Sequence, residues 1–183
     1  KDHMTFLQAM KIVVKQLRNI SILIAQDPKK NLEDANTFAP TVKKEIDIFL
    51  NNNKEVAKKV IFTGYKKNMI PIYHATDILV SSSLYESLGL ILIEASSCSI
   101  PIVATNFGGQ HHVVKDKKSG FLVPIKNPKI MAEKILLLAK NKKIREQFGR
   151  QGRQHVLKNF SVTRYAKEVE KIYLSVIIKS KRQ

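Results

Sequence analysis

The sequence has no tryptophan, a single cysteine and no long apolar run. One cysteine, Cys98, excludes an internal disulfide framework and is typical of a reducing compartment. No apolar segment approaches the roughly 20 residues that a membrane-spanning helix needs. The first residues, KDHMTFLQAM, lack the charged, apolar and small-residue regions of a secretory signal peptide. We therefore expect a cytoplasmic protein.

Acidic residues are also scarce. Asp and Glu number 15 against 32 Lys and Arg, which gives a formal net charge of +17. Such an excess can attract nucleic acid or an anionic membrane. The basic residues are spread along the whole chain, however, and the aromatic residues do not alternate with them as on a base-stacking surface. The pattern favours a lysine-rich solvated surface without specific nucleic-acid binding. A phosphate-bearing ligand and weak peripheral association with the inner membrane surface stay open.

Short apolar segments alternate regularly with helical patterns along the chain. A chain of 183 residues, 44% of them hydrophobic, can bury one proper core. Strands are predicted over 20–25, 59–64, 77–82, 101–106 and 120–125, and helices over 4–17, 43–52, 68–75, 89–98, 108–114, 131–140, 143–160 and 161–179. The polar segment 26–40 is predicted to be a loop. The alternation predicts the α/β class, with a Rossmann-like parallel sheet and helices on both faces.

Two glutamates frame the segment SLYESLGLILIEA, residues 83–95. Glu86 falls in a predicted strand-to-helix loop, and Glu94 falls in the next helix, within an apolar run that we expect to be buried. In parallel sheets, ligands bind where strands end and helices begin, because the free N–H groups there favour anions. Glu94 can accept hydrogen bonds from two vicinal ribose hydroxyls, and Glu86 can bind hydroxyls of a second ring. With phosphate oxygens between them, this arrangement suits a nucleotide-sugar.

The segment VSSSLYESLGLILIEASSCSIPIVATNFGG resembles the donor-binding motif of glycosyltransferase family 4. Seven residues separate Glu86 from Glu94, as in the family's signature. Further segments are similar to other motifs of the family, namely 1–10, 61–65, 119–135 and 160–173. The polar segment 26–40 is faintly similar to sucrose-phosphate-synthase-like members. The resemblance thus covers nearly the whole chain.

The resemblance implies the GT-B fold, in which two Rossmann-like domains face each other across a cleft. Residues 1–183 match its C-terminal, nucleotide-sugar-binding domain, with 161–179 as the closing helix. The N-terminal acceptor domain is absent from this chain, as is the strand that precedes Lys1 in the family. We therefore expect a fragment of a longer enzyme, which alone binds donor weakly and transfers little.

The resemblance also implies a retaining, metal-independent hexosyltransferase. It would use a nucleotide-sugar donor similar to UDP-glucose and a sugar, sugar-phosphate or lipid-linked acceptor, with no cofactor. The catalytic residues would be Lys1, which binds the donor diphosphate, and Glu86, which orients the transferred sugar. The backbone around Gly64 and Tyr65 would contact the base. The complete set of donor-binding residues would be Gly64, Tyr65, Glu86, Ser87, Leu88, Gly89, Leu90 and Glu94.

The chain departs from the family pattern at five positions of these motifs, which are Ser87, Leu88, Ser99, His112 and Val162. The first two replace a glycine and a phenylalanine where the backbone approaches phosphate closely. Gly108 and Gly109 are interpreted as a tight turn, a donor contact or both.

Other features have structural interpretations. Cys98 is predicted to be a small buried residue at a helix end. The apolar stripe of the last helix is predicted to pack in the core, in part against the acceptor domain; it comprises Tyr165, Val169, Ile172, Tyr173 and Val176. The adjacent His111 and His112 point in different directions on a helix, so we expect no metal site.

Two functions of other classes stay open. A non-catalytic nucleotide-binding module would bind donor without transferring the sugar. A basic nucleic-acid-binding domain would instead show a salt-sensitive affinity for DNA or RNA and no response to UDP.

Overall fold

The computed structural model describes residues 1–25 and 40–180, so the predicted loop over 26–40 lies outside the described residues except for Pro40, which begins a helix. In chain order the elements are α1 (His3–Gln16), β1 (Ile22–Ile24), α2 (Pro40–Asn52), α3 (Lys54–Ala57), β2 (Val60–Phe62), α4 (Ile70–His74), β3 (Leu79–Ser81), α5 (Leu90–Ser97), β4 (Ile102–Thr105), α6 (Gln110–Val113), β5 (Gly120–Val123), α7 (Pro128–Lys140), α8 (Lys142–Asn159) and α9 (Val162–Ser180). Every predicted strand and helix falls on an observed element. Helix α3 is additional, and α2 begins three residues earlier than predicted, because proline suits a first helical turn.

Short polar side chains fix where several helices begin. Asp2 caps α1, since its carboxylate accepts the backbone N–H of Thr5 at 3.0 Å. Asn127 and Asn141 cap α7 and α8 in the same way, accepting the N–H groups three residues further on at 3.0 and 3.1 Å. Each cap satisfies an N–H group that has no partner within its helix. The start positions of these helices are therefore encoded locally.

The strands pair in parallel, as predicted, but in two separate pieces. β1 pairs with β2, with Ile22 opposite Val60. β4 lies between β3 and β5 in the second piece. No ladder of backbone hydrogen bonds joins β1 to β3 within the described residues. The two pieces are held together by side-chain packing, because Ile22 of β1 and Val103 of β4 lie in one buried cluster with α1 and α7.

Helices cover both faces of the sheet, which confirms the predicted architecture. Val103 of β4 is fully buried on the side of α1 and α7. Its neighbours Ile102 and Ala104 face the opposite side and are buried against α5, α6 and α8. This alternation is the period-two pattern of a strand that is buried on both faces. Full burial of one such aliphatic side chain contributes about 1.5–3 kcal/mol.

Helix α9 corrects one prediction. The stripe that was expected to pack in the core is open to solvent, with Tyr165 at 70% exposure and only Val169 half-buried. A helical period shows that one face is suited to burial, but it does not identify what that face contacts. Ser161 nevertheless lies at the predicted start, where its hydroxyl accepts the N–H of Arg164 at 3.3 Å.

None of the helices described here has the length and apolar character needed to cross a membrane.

Candidate functional site

The loops that follow β3 and β4 meet at the carboxyl edge of the three-stranded piece. The hydroxyl of Thr105 donates to the carbonyl oxygen of Ser83 at 2.6 Å. The N–H of Gly109 donates to the carbonyl oxygen of Glu86 at 2.8 Å. Thr105 is fully buried and also accepts a hydrogen bond from the side chain of Gln110 at 2.9 Å. The loop that carries Glu86 is therefore fixed to the loop after β4.

Gly108 and Gly109 permit this close contact. Gly108 has a φ of +63°, and a Cβ atom on it would lie 2.1 Å from the carbonyl oxygen of Glu86. A Cβ atom on Gly109 would lie 1.8 Å from the carbonyl oxygen of Ser87. No side chain fits at either distance. The predicted tight turn is therefore present, and its specific role is to let one backbone lie directly against the other. A donor contact by these glycines stays a prediction.

Helix α5 presents unbonded N–H groups at its start. Gly89 precedes it with a φ of +82°, and no side chain caps the helix. Its carbonyl oxygen accepts the N–H of Leu92 at 2.9 Å. In the described part of the chain, the backbone N–H groups of residues 87–91 donate to no acceptor. Such a cluster of free donors, at the positive end of a helix dipole, can bind an anion such as a diphosphate.

Glu94 is exposed rather than buried, which corrects the prediction for this residue, whereas Glu86 is half-buried. The buried face of α5 consists of Leu92, Ala95 and Ser96. Glu94 instead shares the open face with Leu90, four residues earlier, which is also exposed. The sequence did not predict this exposure, because the apolar run around Glu94 contains more apolar residues than the buried face of α5 can hold.

The carboxylate of Glu94 has a partner that the sequence analysis missed. The hydroxyl of Tyr73, on α4, donates to Glu94 Oε2 at 2.5 Å. Tyr73 is 5% exposed, and it shares a buried cluster with Ala95 and Ile100. Its burial, and then the hydrogen bond to the carboxylate, raise the pKa of the Tyr73 phenol far above its usual value. A buried tyrosine usually finds a partner for its hydroxyl, but the sequence alone does not identify it.

Other predicted site residues lie around this centre. Lys1 is exposed, and the backbone carbonyl oxygen of its neighbour Asp2 accepts a hydrogen bond from the hydroxyl of Ser82, directly after β3, at 2.7 Å. The chain start therefore lies beside the loop that leads to Glu86. Gly64 follows β2 in the other piece of the sheet, with a φ of +69° and open space around it. The segment from Gly64 leads past the exposed Tyr65 into α4, which carries the partner of Glu94.

The departures from the family pattern are accommodated without filling the site. Ser87 is exposed, and Leu88 packs against the cluster of α5 and α8. Ser99 has a φ of 60°, which explains why a glycine is usual at that position. Cys98 ends α5, but it is half-buried rather than buried. The described residues contain no group of three or more side chains suited to a metal ion.

Comparison with known proteins identifies a family. Residues 1–155 match the family model described as "Glycosyl transferases group 1". The capsular polysaccharide biosynthesis glycosyltransferase CapM of Staphylococcus aureus is 29% identical over 168 residues, which cover 91% of this chain and 41% of that protein. The chain spans less than half the length of these curated relatives, 41% for CapM and 34% for the N-acetyl-alpha-D-glucosaminyl L-malate synthase of Bacillus anthracis.

Solved structures share the fold. Sucrose-phosphate synthase from Thermosynechococcus elongatus superposes with a TM-score of 0.76 at 21% identity, covering 94% of this chain and 42% of that one. A structure of Staphylococcus aureus TarM, in complex with fondaparinux, α-GlcNAc-glycerol and UDP, has a TM-score of 0.82 at 24% identity, with coverages of 94% and 33%. At these identities the likeness establishes the fold. The expected Rossmann-like α/β fold, as found in GT-B glycosyltransferases, is thereby confirmed.

Proposed function

Because the chain belongs to the group 1 glycosyltransferases, we propose that it is the donor-binding domain of a retaining, metal-independent hexosyltransferase that uses a UDP-linked sugar. The observation that carries the proposal is the arrangement of Glu86 and Glu94 on either side of the unbonded N–H groups of residues 87–91. One acid lies before the start of α5 and the other lies within it. This spacing offers hydroxyl acceptors on both sides of an anion-binding helix start.

Each part of the donor has a matching group. The unbonded N–H groups at the start of α5, together with Lys1, would hold the diphosphate and stabilise the negative charge that grows on it as the sugar leaves. Glu94 would bind the ribose diol, and Glu86 would orient the transferred sugar. Gly64 and Tyr65 would contact the base. The UDP in the TarM complex, a protein of the same fold, supports uracil as that base.

The acceptor would lie outside this chain. The matched relatives are more than twice as long as the segment they share with it, which supports a second domain that binds a sugar, sugar-phosphate or lipid-linked acceptor. The attacking acceptor hydroxyl would approach the face of the sugar from which the diphosphate leaves. A further part of the proposal is that the protein is cytoplasmic and that its net charge of +17 gives only weak association with an anionic membrane surface.

Titration of the 183-residue chain with UDP by isothermal calorimetry tests this assignment. Glu94→Ala is expected to weaken UDP binding by about 1.5–3 kcal/mol, the usual contribution of a hydrogen bond to a charged group. The matched control is Glu133→Ala, which removes another exposed acid, on α7, whose carboxylate forms an ion pair with its neighbour Lys134 at 2.7 Å. It should leave UDP binding unchanged. Equal UDP affinity for Glu94→Ala and the parent chain would refute the ribose assignment.

A further inference from the structure

We infer that Tyr73 is a positioning residue, which holds the carboxylate of Glu94 in the orientation that receives the nucleotide ribose. The inference rests on the proposed function, because it takes the ribose as the ligand of Glu94. Its basis is the 2.5 Å hydrogen bond from the Tyr73 hydroxyl to Glu94 Oε2. This bond joins a fully packed side chain to an exposed one, so its geometry is set by Tyr73.

The structure holds Tyr73 rigidly. Its ring is packed with Ala95 and Ile100, and its backbone N–H donates to the carbonyl oxygen of Met69 at 3.0 Å. Helix α4 is closed at its other end by Thr76, whose hydroxyl donates to the carbonyl oxygen of Ile72 at 2.7 Å. The Tyr73 hydroxyl is therefore presented at one fixed place on the surface of α5.

Glu94 needs such a constraint. A free glutamate side chain loses rotamer entropy when a ligand orders it. A hydrogen bond that already fixes the carboxylate in the empty protein removes part of that cost from binding. Tyr73 thus preorganises an exposed acid that has no other hydrogen bond to a side chain in the described part of the chain.

The hydrogen bond from Tyr73 leaves enough acceptor positions on the Glu94 carboxylate to bind a ribose. A carboxylate offers about four lone-pair positions on its two oxygens, and Tyr73 occupies one of them. Oε1 and the second lone pair of Oε2 remain for two vicinal hydroxyls. Burial and the hydrogen bond also raise the pKa of the Tyr73 phenol, so the hydroxyl keeps its proton and stays a donor near neutral pH.

A second consequence is that the bond connects two parts of the donor site. Tyr73 lies nine residues after Gly64, on the helix that follows the proposed base contacts. Glu94 lies on the helix that provides the proposed phosphate contacts. The hydrogen bond therefore links the helix that follows the proposed base contacts to the helix that provides the proposed phosphate contacts.

The test is a double-mutant cycle with Tyr73→Phe, Glu94→Ala and their combination in the 183-residue chain. Affinities for UDP and 2′-deoxy-UDP are measured by calorimetry, and folding is monitored by thermal melting. Tyr73→Phe keeps the packed ring and removes only the hydroxyl. We expect it to weaken UDP binding three- to tenfold and 2′-deoxy-UDP binding less than twofold, and to have no further effect when Glu94 is already alanine. Tyr165→Phe, on the exposed face of α9, is the matched control and should change nothing.

The outcomes separate this inference from the proposed function. The inference is overturned, and Tyr73 has a purely structural role, if Tyr73→Phe weakens the binding of UDP and of 2′-deoxy-UDP equally. The same follows if Tyr73→Phe lowers UDP affinity further when Glu94 is already alanine. An unchanged UDP affinity in Tyr73→Phe, together with a weakened one in Glu94→Ala, would overturn the inference alone. An unchanged UDP affinity in Glu94→Ala would overturn the ribose assignment, and the inference with it. Should Tyr73→Phe melt too early to assay, Glu94→Gln replaces it. The amide keeps an oxygen that can accept from Tyr73, so UDP affinity should fall less than in Glu94→Ala; an equal loss in the two variants would overturn the inference.

Discussion

Replacing Gly109 by alanine tests whether the close contact of the two loops forms the site. The φ of Gly109 is −80°, which any residue adopts, so the substitution introduces no backbone strain. The new Cβ atom would instead lie 1.8 Å from the carbonyl oxygen of Ser87 and 3.1 Å from the Cα of Leu88. Since nonbonded contacts of carbon are most favourable at about 3.5–4.0 Å, the loops would have to separate by roughly 2 Å.

The obstacle is backbone, which cannot rotate away, so the cost should approach the upper end of the range for overpacking, about 3 kcal/mol. For a chain of this length, that lowers the melting temperature by roughly 6–12 °C. The shift also displaces the N–H groups of residues 87–91, and loss of one good hydrogen bond to the diphosphate weakens UDP binding roughly tenfold. Circular dichroism and calorimetry measure the two effects.

Gly152→Ala is the matched control for this substitution. Gly152 lies inside α8, and a Cβ atom there would meet its nearest neighbours, Ser119 and Ser96, at an ordinary 3.5 Å. Alanine should therefore stabilise the chain by about 0.5–1 kcal/mol, as it does in helix interiors, and leave UDP binding alone. The steric argument would be refuted if the Gly109→Ala chain had the melting temperature and the UDP affinity of the parent chain.

Three further predictions concern single side chains. Ser99→Gly should raise the free energy of unfolding by about 0.5–1 kcal/mol in urea denaturation. The left-handed conformation of Ser99 costs roughly 1–2 kcal/mol, and the greater entropy of glycine in the unfolded chain offsets part of the gain from removing that cost. A free energy of unfolding below that of the parent chain would contradict the strain. Glu86→Gln, in an enzyme that includes the acceptor domain, should change UDP affinity by less than about 0.5 kcal/mol while turnover falls tenfold or more. A loss of UDP binding equal to that of Glu94→Ala would show that Glu86 does not act on the transferred sugar alone. Burial lowers the pKa of His3 from its usual 6.5, with help from the nearby positive charges, so the unfolded chain binds a proton there more readily than the folded chain. Stability should therefore fall as the pH drops below 6.5, and His3→Gln should flatten that part of the curve; identical pH profiles would contradict the shift.

The sequence predicts the elements of this fold well because each is encoded locally. Short β-branched segments such as ILI and IVAT, bounded by loops, favour strands, and polar caps such as Asp2 and Asn127 mark helix starts. The same local information places Glu86 and Glu94 at the carboxyl edge of the sheet. What these predictions share is that neighbours in the sequence determine them.

Features that depend on contacts between distant segments were not predictable. The bond from Tyr73 to Glu94 joins residues 21 positions apart, and no periodicity encodes it. The exposure of Glu94 depends on which part of an almost wholly apolar helix faces α8. The open stripe of α9 follows the correct period, yet the period alone does not show whether a partner surface is present.

The departures at Ser87 and Leu88 bear on whether the site can still hold a phosphate. A side chain at either position would obstruct the anion only if it covered the N–H groups at the start of α5. Ser87 is exposed, and Leu88 is drawn into the cluster that contains Leu92 and Val113, so its side chain occupies core volume. The free N–H groups belong to the backbone, and two glycines, Gly108 and Gly109, hold that backbone in place from the neighbouring loop. An anion site made of main chain is insensitive to side-chain identity as long as the side chains point elsewhere. The residues to which UDP binding should be most sensitive are therefore Gly108 and Gly109, which hold that backbone, and Glu94, which would bind the ribose.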